Sequence, residues 1–363
     1  MNNNSLKFIL DECIECRLCV EECPFLSKYS LTPKDIVRRL LGGINQNKRY
    51  IMECLLCGLC RSVCPKNLDF PSVISYARQL FSKNIIDEIY YRLFMPDDPL
   101  FFPKAYKTYK GINYSIPENG SFEYIFFPGC SMSSYSPEAV KKIYWKLVEK
   151  LCNVGFTDLC CGKPLADIGL IEGSSKWLLK LENYFTKHEC RNIIVACPMC
   201  YYHLKHSLPN IYKILTIYEI MGETFTEEMS ISDLKVTIHD SCPDRSEGIF
   251  ATEVRNLLKN YKIIEMKHSR EKSLCCGAGG MASIADPNLT LNLSSKRAEE
   301  FYSTGADLMV VYCYTCAQIF WSTQPSIQTK HVLDLVLGTR DSSEDIKSGE
   351  VGNLIAKFLM EHI

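Results

Sequence analysis

Two cysteine runs of identical spacing constrain this chain more than any other feature. "CIECRLCVEECP" and "CLLCGLCRSVCP" both have the pattern C-x2-C-x2-C-x3-C-P. Three cysteines at three-residue intervals lie on one short turn, where their thiolates can bind three corners of one metal cluster. A zinc site would be built from paired C-x-x-C units without the third repeat. The pattern therefore predicts iron–sulfur ligation.

The same pattern is that of bacterial ferredoxins, in which the fourth cysteine of each run serves the other cluster. We expect two cubane [4Fe–4S] clusters, with these ligand sets: Cys13, Cys16, Cys19 and Cys64; Cys54, Cys57, Cys60 and Cys23. Between the runs, "TPKDIVRRLL" predicts a helix with Thr32 as its N-cap. The segment is similar to the all-α two-cluster ferredoxin domain found in iron–sulfur components of dehydrogenases, and we assign it to residues 1–100.

Composition restricts the compartment and the partners. The chain of 363 residues has 20 cysteines but no basic-then-apolar export signal, which favours metal ligation in a reducing compartment over disulfides. The 41 basic and 42 acidic side chains nearly cancel, so nothing indicates nucleic acid binding. No apolar run reaches the ~18–20 residues of a membrane span. We expect a cytoplasmic protein with no transmembrane segment of its own, which a partner could attach to a membrane.

The remaining sequence contains an internal duplication. "EYIFFPGC…LCCGKP…NIIVACPMC" is followed by "KVTIHDSC…LCCGAGG…ADLMVVYCYTC". Equivalent cysteines are separated by 112, 115, 115, 116 and 116 residues. The two sets are Cys130, Cys160, Cys161, Cys197 and Cys200; and Cys242, Cys275, Cys276, Cys313 and Cys316. We expect two duplicated α/β domains at residues 121–230 and 231–345.

Short apolar runs precede the cysteines, and helical patterns lie between them. Ile193–Val195 and Leu308–Val311 suit buried parallel strands, so alternating strands and helices predict an open parallel sheet in each unit. Ligands bind at the carboxyl ends of such strands, beside helix N-termini that stabilise anions. Each unit offers five thiols where a cubane takes four. The adjacent pair before "GAGG" therefore suggests a cluster of unusual shape, with glycine N–H groups directed at sulfur.

At these residues the chain resembles the CCG-domain (cysteine-rich domain) family of iron–sulfur oxidoreductases, in particular the heterodisulfide reductases. The family pattern is a cysteine, then Cys-Cys-Gly, then C-x-x-C; here the first interval of 29 residues is slightly short. The resemblance implies two noncubane [4Fe–4S] clusters, one per unit, that face each other across a pseudo-twofold interface. A disulfide would bind between them and be reduced, or two thiols would be oxidised. "HDSCPDR" differs from the "HDPCH" of many members, so substrate contacts are expected to differ there.

The resemblance also leaves a second function open. Relatives serve as electron-transfer subunits of flavoprotein dehydrogenases for glycolate, lactate or glycerol-3-phosphate, and pass electrons to a quinone or carrier. Either way we expect a redox partner subunit, a flavoprotein or a membrane cytochrome. A third and weaker hypothesis makes the C-terminal units zinc-bound scaffolds.

Five further residues have weaker predicted roles. His239 precedes Cys242 at a strand end, so it is our candidate catalytic residue for proton delivery. Lys163 and Arg245 could bind an anionic group of the substrate. Cys152 and Cys190 belong to neither ligand set, and we expect both to be small buried hydrophobic residues.

Overall fold

The N-terminal segment is helical, as the sequence predicts. The structure, a computed structural model, describes residues 4–42, 49–81, 92–116, 120–228 and 233–350. Helices α1–α6 and one 3-10 turn, with no strand among the described residues, form this segment: Asn4–Glu12, Leu18–Glu22, Pro24–Tyr29, Pro33–Leu41, Leu59–Ser62 and Phe70–Phe81, with the 3-10 turn at Arg49–Glu53. Thr32 caps α4 through a capping box with Asp35, which confirms the predicted helix start.

A seventh helix, α7 (Phe102–Lys110), joins this segment to the first α/β unit. The carbonyl of Pro103 accepts a hydrogen bond from Ser134 Oγ at 2.8 Å, and the Tyr106 ring lies 5.2 Å from that of Tyr135. The stretch between the first two predicted domains is therefore packed against the first unit. The domain boundaries themselves stay a prediction.

The first unit has a four-stranded parallel sheet with helices between its strands. Its strands β1–β4 are Tyr124–Phe127, Val154–Phe156, Asn192–Val195 and Lys213–Thr216, in the order β2-β1-β3-β4. Its helices α8–α13 are Cys130–Tyr135, Pro137–Leu151, Lys163–Asp167, Ile171–Lys187, Pro198–Ser207 and Ile217–Glu228. The central strands are fully buried from Ile125 and from Ile193 onward, which explains their continuous apolar sequence.

The second unit repeats the same sheet order. Its strands β5–β8 are Lys235–His239, Lys262–Ile263, Leu308–Val311 and Thr329–His331, arranged as β6-β5-β7-β8 and all parallel. Its helices α14–α19 are Ile249–Leu257, Ala282–Ala285, Pro287–Thr304, Tyr314–Thr323, Val332–Leu337 and Ser343–Lys347. Two parallel sheets of equal order fit the predicted duplication. The pseudo-twofold relation between the units stays a prediction.

None of the described helices is both long and apolar enough to cross a bilayer.

Candidate iron–sulfur and substrate site

The cysteines of each α/β unit meet at the carboxyl edge of its sheet. Cys130 follows β1, and Cys197 and Cys313 follow β3 and β7 as the N-caps of α12 and α17. The Cys-Cys-Gly loops follow the short strands β2 and β6. Loops that leave parallel strands in the same direction converge, so residues far apart in sequence become neighbours.

The ten thiols form one continuous series of hydrogen-bonding neighbours. In order, the series is Cys130, Cys160, Cys161, Cys200, Cys197, Cys313, Cys316, Cys276, Cys275 and Cys242. The first five belong to the first unit and the last five to the second. The two units therefore meet at their C-x-x-C motifs, where Cys197 and Cys313 are in contact.

The surroundings of these thiols fit thiolate-bound iron and sulfur. The N–H groups of Gly162 and Gly277 lie 3.4 Å from Cys160 Sγ and Cys275 Sγ. Gly277 has φ +111°, and a Cβ there would lie 2.8 Å from Thr290 Cγ2, so only glycine fits. Buried donors near the second set lack partners among the described residues, namely both ring nitrogens of His239 and the Nε and Nη2 of Arg297. Such donors are suited to anionic sulfur.

The eight N-terminal cysteines group as the sequence predicts. Cys19 interacts electrostatically with Cys13, Cys16 and Cys64, and Cys60 with Cys23, Cys54 and Cys57. Both runs take the same local shape. Glu15 and Arg17 in the first run, like Leu56 and Gly58 in the second, have φ between +50° and +77°. Burial raises the pKa of Cys19 to about 12, so iron has to displace a proton there. Ligation by these residues stays a prediction.

The second α/β unit, and not the first, contacts the inner N-terminal set. Cys275 interacts with both Cys54 and Cys57, and Cys242 interacts with Cys57. Arg245 fastens this contact, because its Nε donates to the Cys57 carbonyl at 2.8 Å and its Nη2 to the Ser273 carbonyl at 2.5 Å. The predicted anion-binding role of Arg245 is therefore not supported by its contacts. The guanidinium joins two cysteine loops instead.

Gly279 allows the closest approach at this contact, and we expect it to tolerate no side chain. A Cβ at this position would lie 2.4 Å from the Leu55 carbonyl oxygen and 3.1 Å from Cys275 Sγ. Gly279→Ala should therefore push the N-terminal segment from the second unit and cost about 1–3 kcal/mol, visible in the midpoint of anaerobic thermal unfolding. Gly222→Ala is the control, because a Cβ meets nothing within 4 Å and alanine favours the helix by roughly 0.5–1 kcal/mol. Equal midpoints for the two variants would contradict the expectation.

A cavity of about 340 Å³ opens beside the first set of thiols. Four cysteines of that set line it, namely Cys130, Cys161, Cys197 and Cys200. No second-set cysteine lines it within the described parts of the chain. Its far wall includes Ala278 and Met281 of the second unit, so the cavity lies where the two units meet. Its volume suits a small-molecule ligand.

The predicted proton donor lies away from this cavity. His239, at the end of β5, is 1 % exposed and faces Cys276 and Cys316, with their ligand atoms all within 4.8 Å of one another. Burial lowers the pKa of His239 to about 3, so the ring is neutral at pH 7. Within the described residues it does not line the cavity. Its role in proton delivery stays a prediction.

The other weakly predicted residues divide. Lys163 forms an ion pair with Asp167, whose carboxylate is nearly buried, so the lysine is already paired. Cys190 is buried, as expected, but the prediction for Cys152 was wrong. Cys152 is exposed, because it ends α9 in a conformation with φ +64° at the surface.

Sequence reasoning missed two residues that the structure makes prominent. Arg78 is fully buried and donates five hydrogen bonds to the carbonyls of Ile51, Cys54, Asp167 and Gly280. Tyr135 lines the cavity, and its hydroxyl is buried without a partner among the described residues. Neither belongs to a motif, since an arginine in an amphipathic helix normally predicts a solvated face.

Comparisons with known proteins identify the domains. A 4Fe-4S dicluster domain matches residues 12–69, and a cysteine-rich CCG domain matches twice, over 124–205 and 236–320. An iron–sulfur relative from Methanothermobacter marburgensis, a component of its fumarate reductase (CoM/CoB), is 26% identical over 346 residues, which cover 84% of this chain and 66% of that protein. The chain thus spans just under two thirds of that relative.

Two further relatives carry other names. A component of the dihydromethanophenazine:CoB–CoM heterodisulfide reductase of Methanosarcina mazei is 23% identical, with 90% of this chain and 92% of that protein covered. An EtfAB:quinone oxidoreductase of Syntrophomonas wolfei is 22% identical, with 85% and 54% covered. The chain belongs to the CCG-domain family of iron–sulfur oxidoreductases, in which a 4Fe-4S dicluster domain precedes two cysteine-rich domains.

Proposed function

We propose that the chain is a disulfide reductase of the heterodisulfide reductase D type, in which a disulfide is reduced in the cavity beside the first set of thiols. The observation that carries this proposal is the cavity itself, since four potential ligand thiols border a space that a small molecule can enter. Two cubane and two noncubane [4Fe–4S] clusters, held by the four cysteine sets, would supply one-electron transfer when bound.

The order of the sulfur sets in space supports a direction. The outer N-terminal set is followed by the inner one, then by the second α/β unit, and finally by the first unit and the cavity. This order differs from the order along the chain. An electron that enters at the N-terminal domain would therefore reach the cavity last. A disulfide there takes up two electrons and two protons, its S–S bond breaks, and two thiols leave.

The entry face has the character of a partner-binding surface. Cys16 is exposed, and the side chains on either side of it, Ile14 and Leu18, are 60% and 45% exposed despite being apolar. Exposed apolar residues around a redox site are typical of a face that another protein covers. We propose that a redox partner subunit, a flavoprotein or a membrane cytochrome, docks there and delivers the electrons. The partner could attach an otherwise cytoplasmic chain to a membrane.

Thiol release under anaerobic conditions tests the function. Protein reduced with dithionite should convert one disulfide to two thiols for every two electrons consumed. Cys200→Ala removes a sulfur from the cavity wall and should lower the rate by about 100-fold or more, equivalent to about 2.7 kcal/mol. Cys190→Ala is the matched control, because this cysteine is equally buried but bonds only to backbone carbonyls. Failure of every disulfide tested, charged or neutral, to oxidise the reduced protein would refute the proposal.

A second function has one specific observation in its favour. The relative from Syntrophomonas wolfei is named an EtfAB:quinone oxidoreductase. On that hypothesis a flavoprotein partner performs the primary oxidation, and this chain passes electrons to a quinone. Reduction of a quinone and of no disulfide would select it.

A further inference from the structure

The wall of the cavity is apolar and carries no basic side chain. Phe94, Phe101 and Phe102 form one side, and Met132, Met199 and Met281 contribute flexible thioethers. Among the described residues that line the cavity, none is lysine, arginine or histidine. Anionic ligands are normally held by such groups or by a helix N-terminus, and each buried carboxylate without one loses its hydration with no return.

The nearby charges would repel an anion. Asp167 lines the cavity, and its partner Lys163, which already forms an ion pair with it, is not among the lining residues. Arg78, the fully buried cation behind the cavity wall, has its donors directed to backbone carbonyls. The thiolates of the first set add negative charge when they bind iron.

One polar group in the wall lacks a partner. Tyr135 is 1 % exposed, its ring packs against Tyr106, and its hydroxyl makes no hydrogen bond to the described residues. A buried hydroxyl without a partner is unfavourable, and a ligand oxygen that accepts its hydrogen would recover that free energy. An apolar cavity with a single unsatisfied donor is typical of sites for neutral molecules.

We propose that this cavity binds an uncharged, largely apolar molecule with a hydrogen-bond-accepting oxygen, and that it discriminates against anionic disulfides. The inference rests on the proposed function for the reaction, but the lining alone carries the class of ligand. Methionine at three wall positions lets the cavity adapt to ligands of different shape. The sulfur atoms to be reduced would lie against the Cys130 and Cys161 side of the cavity.

A matched pair of disulfides tests the proposal. 3,3′-Dithiodipropionate is a dianion at pH 7, and its dimethyl ester is neutral with the same S–S bond and the same chain. Calorimetric titration into anaerobic, oxidised, cluster-loaded protein should give a Kd for the ester at least about tenfold below that for the dianion. Tyr135→Phe should weaken ester binding about fivefold, roughly the value of one neutral hydrogen bond.

Gln318 allows the reverse experiment. It lines the cavity from α17 and is only partly buried, so a charged side chain can be placed there without filling the core. Gln318→Lys should tighten binding of the dianion by about tenfold or more and leave the ester within about twofold. Gln318→Met, which has similar length and no charge, is the control and should leave the preference for the ester intact.

The outcomes separate this inference from the proposed function. Equal or tighter binding of the dianion by the unaltered protein would overturn the inference, although disulfide reduction could stand. Binding and reduction of menadione, a neutral quinone, with no reduction of either disulfide would refute disulfide reduction and support the neutral ligand class. Binding of neither the ester nor menadione would overturn the inference.

Discussion

Replacing Arg78 with methionine should lower the midpoint of anaerobic thermal unfolding by roughly 10 °C, the largest stability effect that we expect from one substitution. The guanidinium is fully buried and supplies the donors for the carbonyls of Ile51, Cys54, Asp167 and Gly280. Each carbonyl left buried without a donor costs about 1–3 kcal/mol. Methionine is similar in length and offers no donor, so the loss should reach about 4 kcal/mol or more.

The same substitution should also interrupt electron transfer. Cys54 belongs to the inner N-terminal set, Asp167 to the first α/β unit and Gly280 to the second, so Arg78 holds together all three parts of the proposed relay. Dithionite should still reduce the N-terminal domain of Arg78→Met, but disulfide reduction should slow by about tenfold or more. Stopped-flow absorbance follows the first step, and thiol release follows the second.

An exposed arginine of the same domain provides the control. Arg61 is about half exposed and contacts only the side chains of Asn67 and Asp69, with the ion pair at 3.8 Å. Arg61→Met should change stability by no more than about 0.5 kcal/mol and leave the relay intact. If Arg78→Met unfolded at the same temperature as Arg61→Met, the central role of Arg78 would be wrong.

The cysteine spacing predicted the parts of the fold that local chemistry determines. Two identical runs, a near-constant offset and apolar strand cores were sufficient for the helical domain and the two parallel sheets. The edge strands β2 and β4 escaped notice, because Val154–Phe156 contains a glycine and Lys213–Thr216 begins with an exposed lysine. Their pairing with β1 and β3 depends on the sheet, which no short window of sequence encodes.

The spatial order of the sulfur sets could not be predicted either. Sequence order suggests that the first α/β unit follows the N-terminal domain, but Cys275 of the second unit is the neighbour of Cys54 and Cys57. This arrangement depends on contacts such as Gly279 against Leu55, which join residues more than 200 positions apart. A glycine-rich loop predicts close approach, but the sequence does not say to what.

The two α/β units differ most in the groups around their thiols. His239 and Arg297 place unpartnered nitrogen atoms near Cys276 and Cys316. The offset between Cys130 and Cys242 puts Phe127 at the position of His239 in the first unit, and the offset between Cys197 and Cys313 puts Leu181 at that of Arg297. Both counterparts are fully buried and apolar. The second unit therefore offers hydrogen-bond donors to its cluster, whereas the first offers a cavity.

His239→Phe should lower the reduction potential of the second-unit cluster by about 60–130 mV. A donor to sulfur stabilises the more negative, reduced state, and a hydrogen bond to a charged group contributes about 1.5–3 kcal/mol, with 59 mV per tenfold change for one electron. Phenylalanine removes the donor and reproduces the residue found in the first unit. Redox titration monitored by EPR measures the shift. His239→Gln, which retains an amide N–H, should recover most of it.

An exposed histidine separates this effect from proton delivery. His206 lies on the surface, with Nδ1 2.6 Å from the Tyr202 carbonyl, so His206→Phe should leave every potential unchanged. If His239 delivered protons to the substrate, its replacement would instead alter the pH profile of turnover and leave the potential where it was. A shifted potential with an unchanged pH profile would identify His239 as a residue that tunes the relay, because burial keeps its ring neutral and away from the cavity.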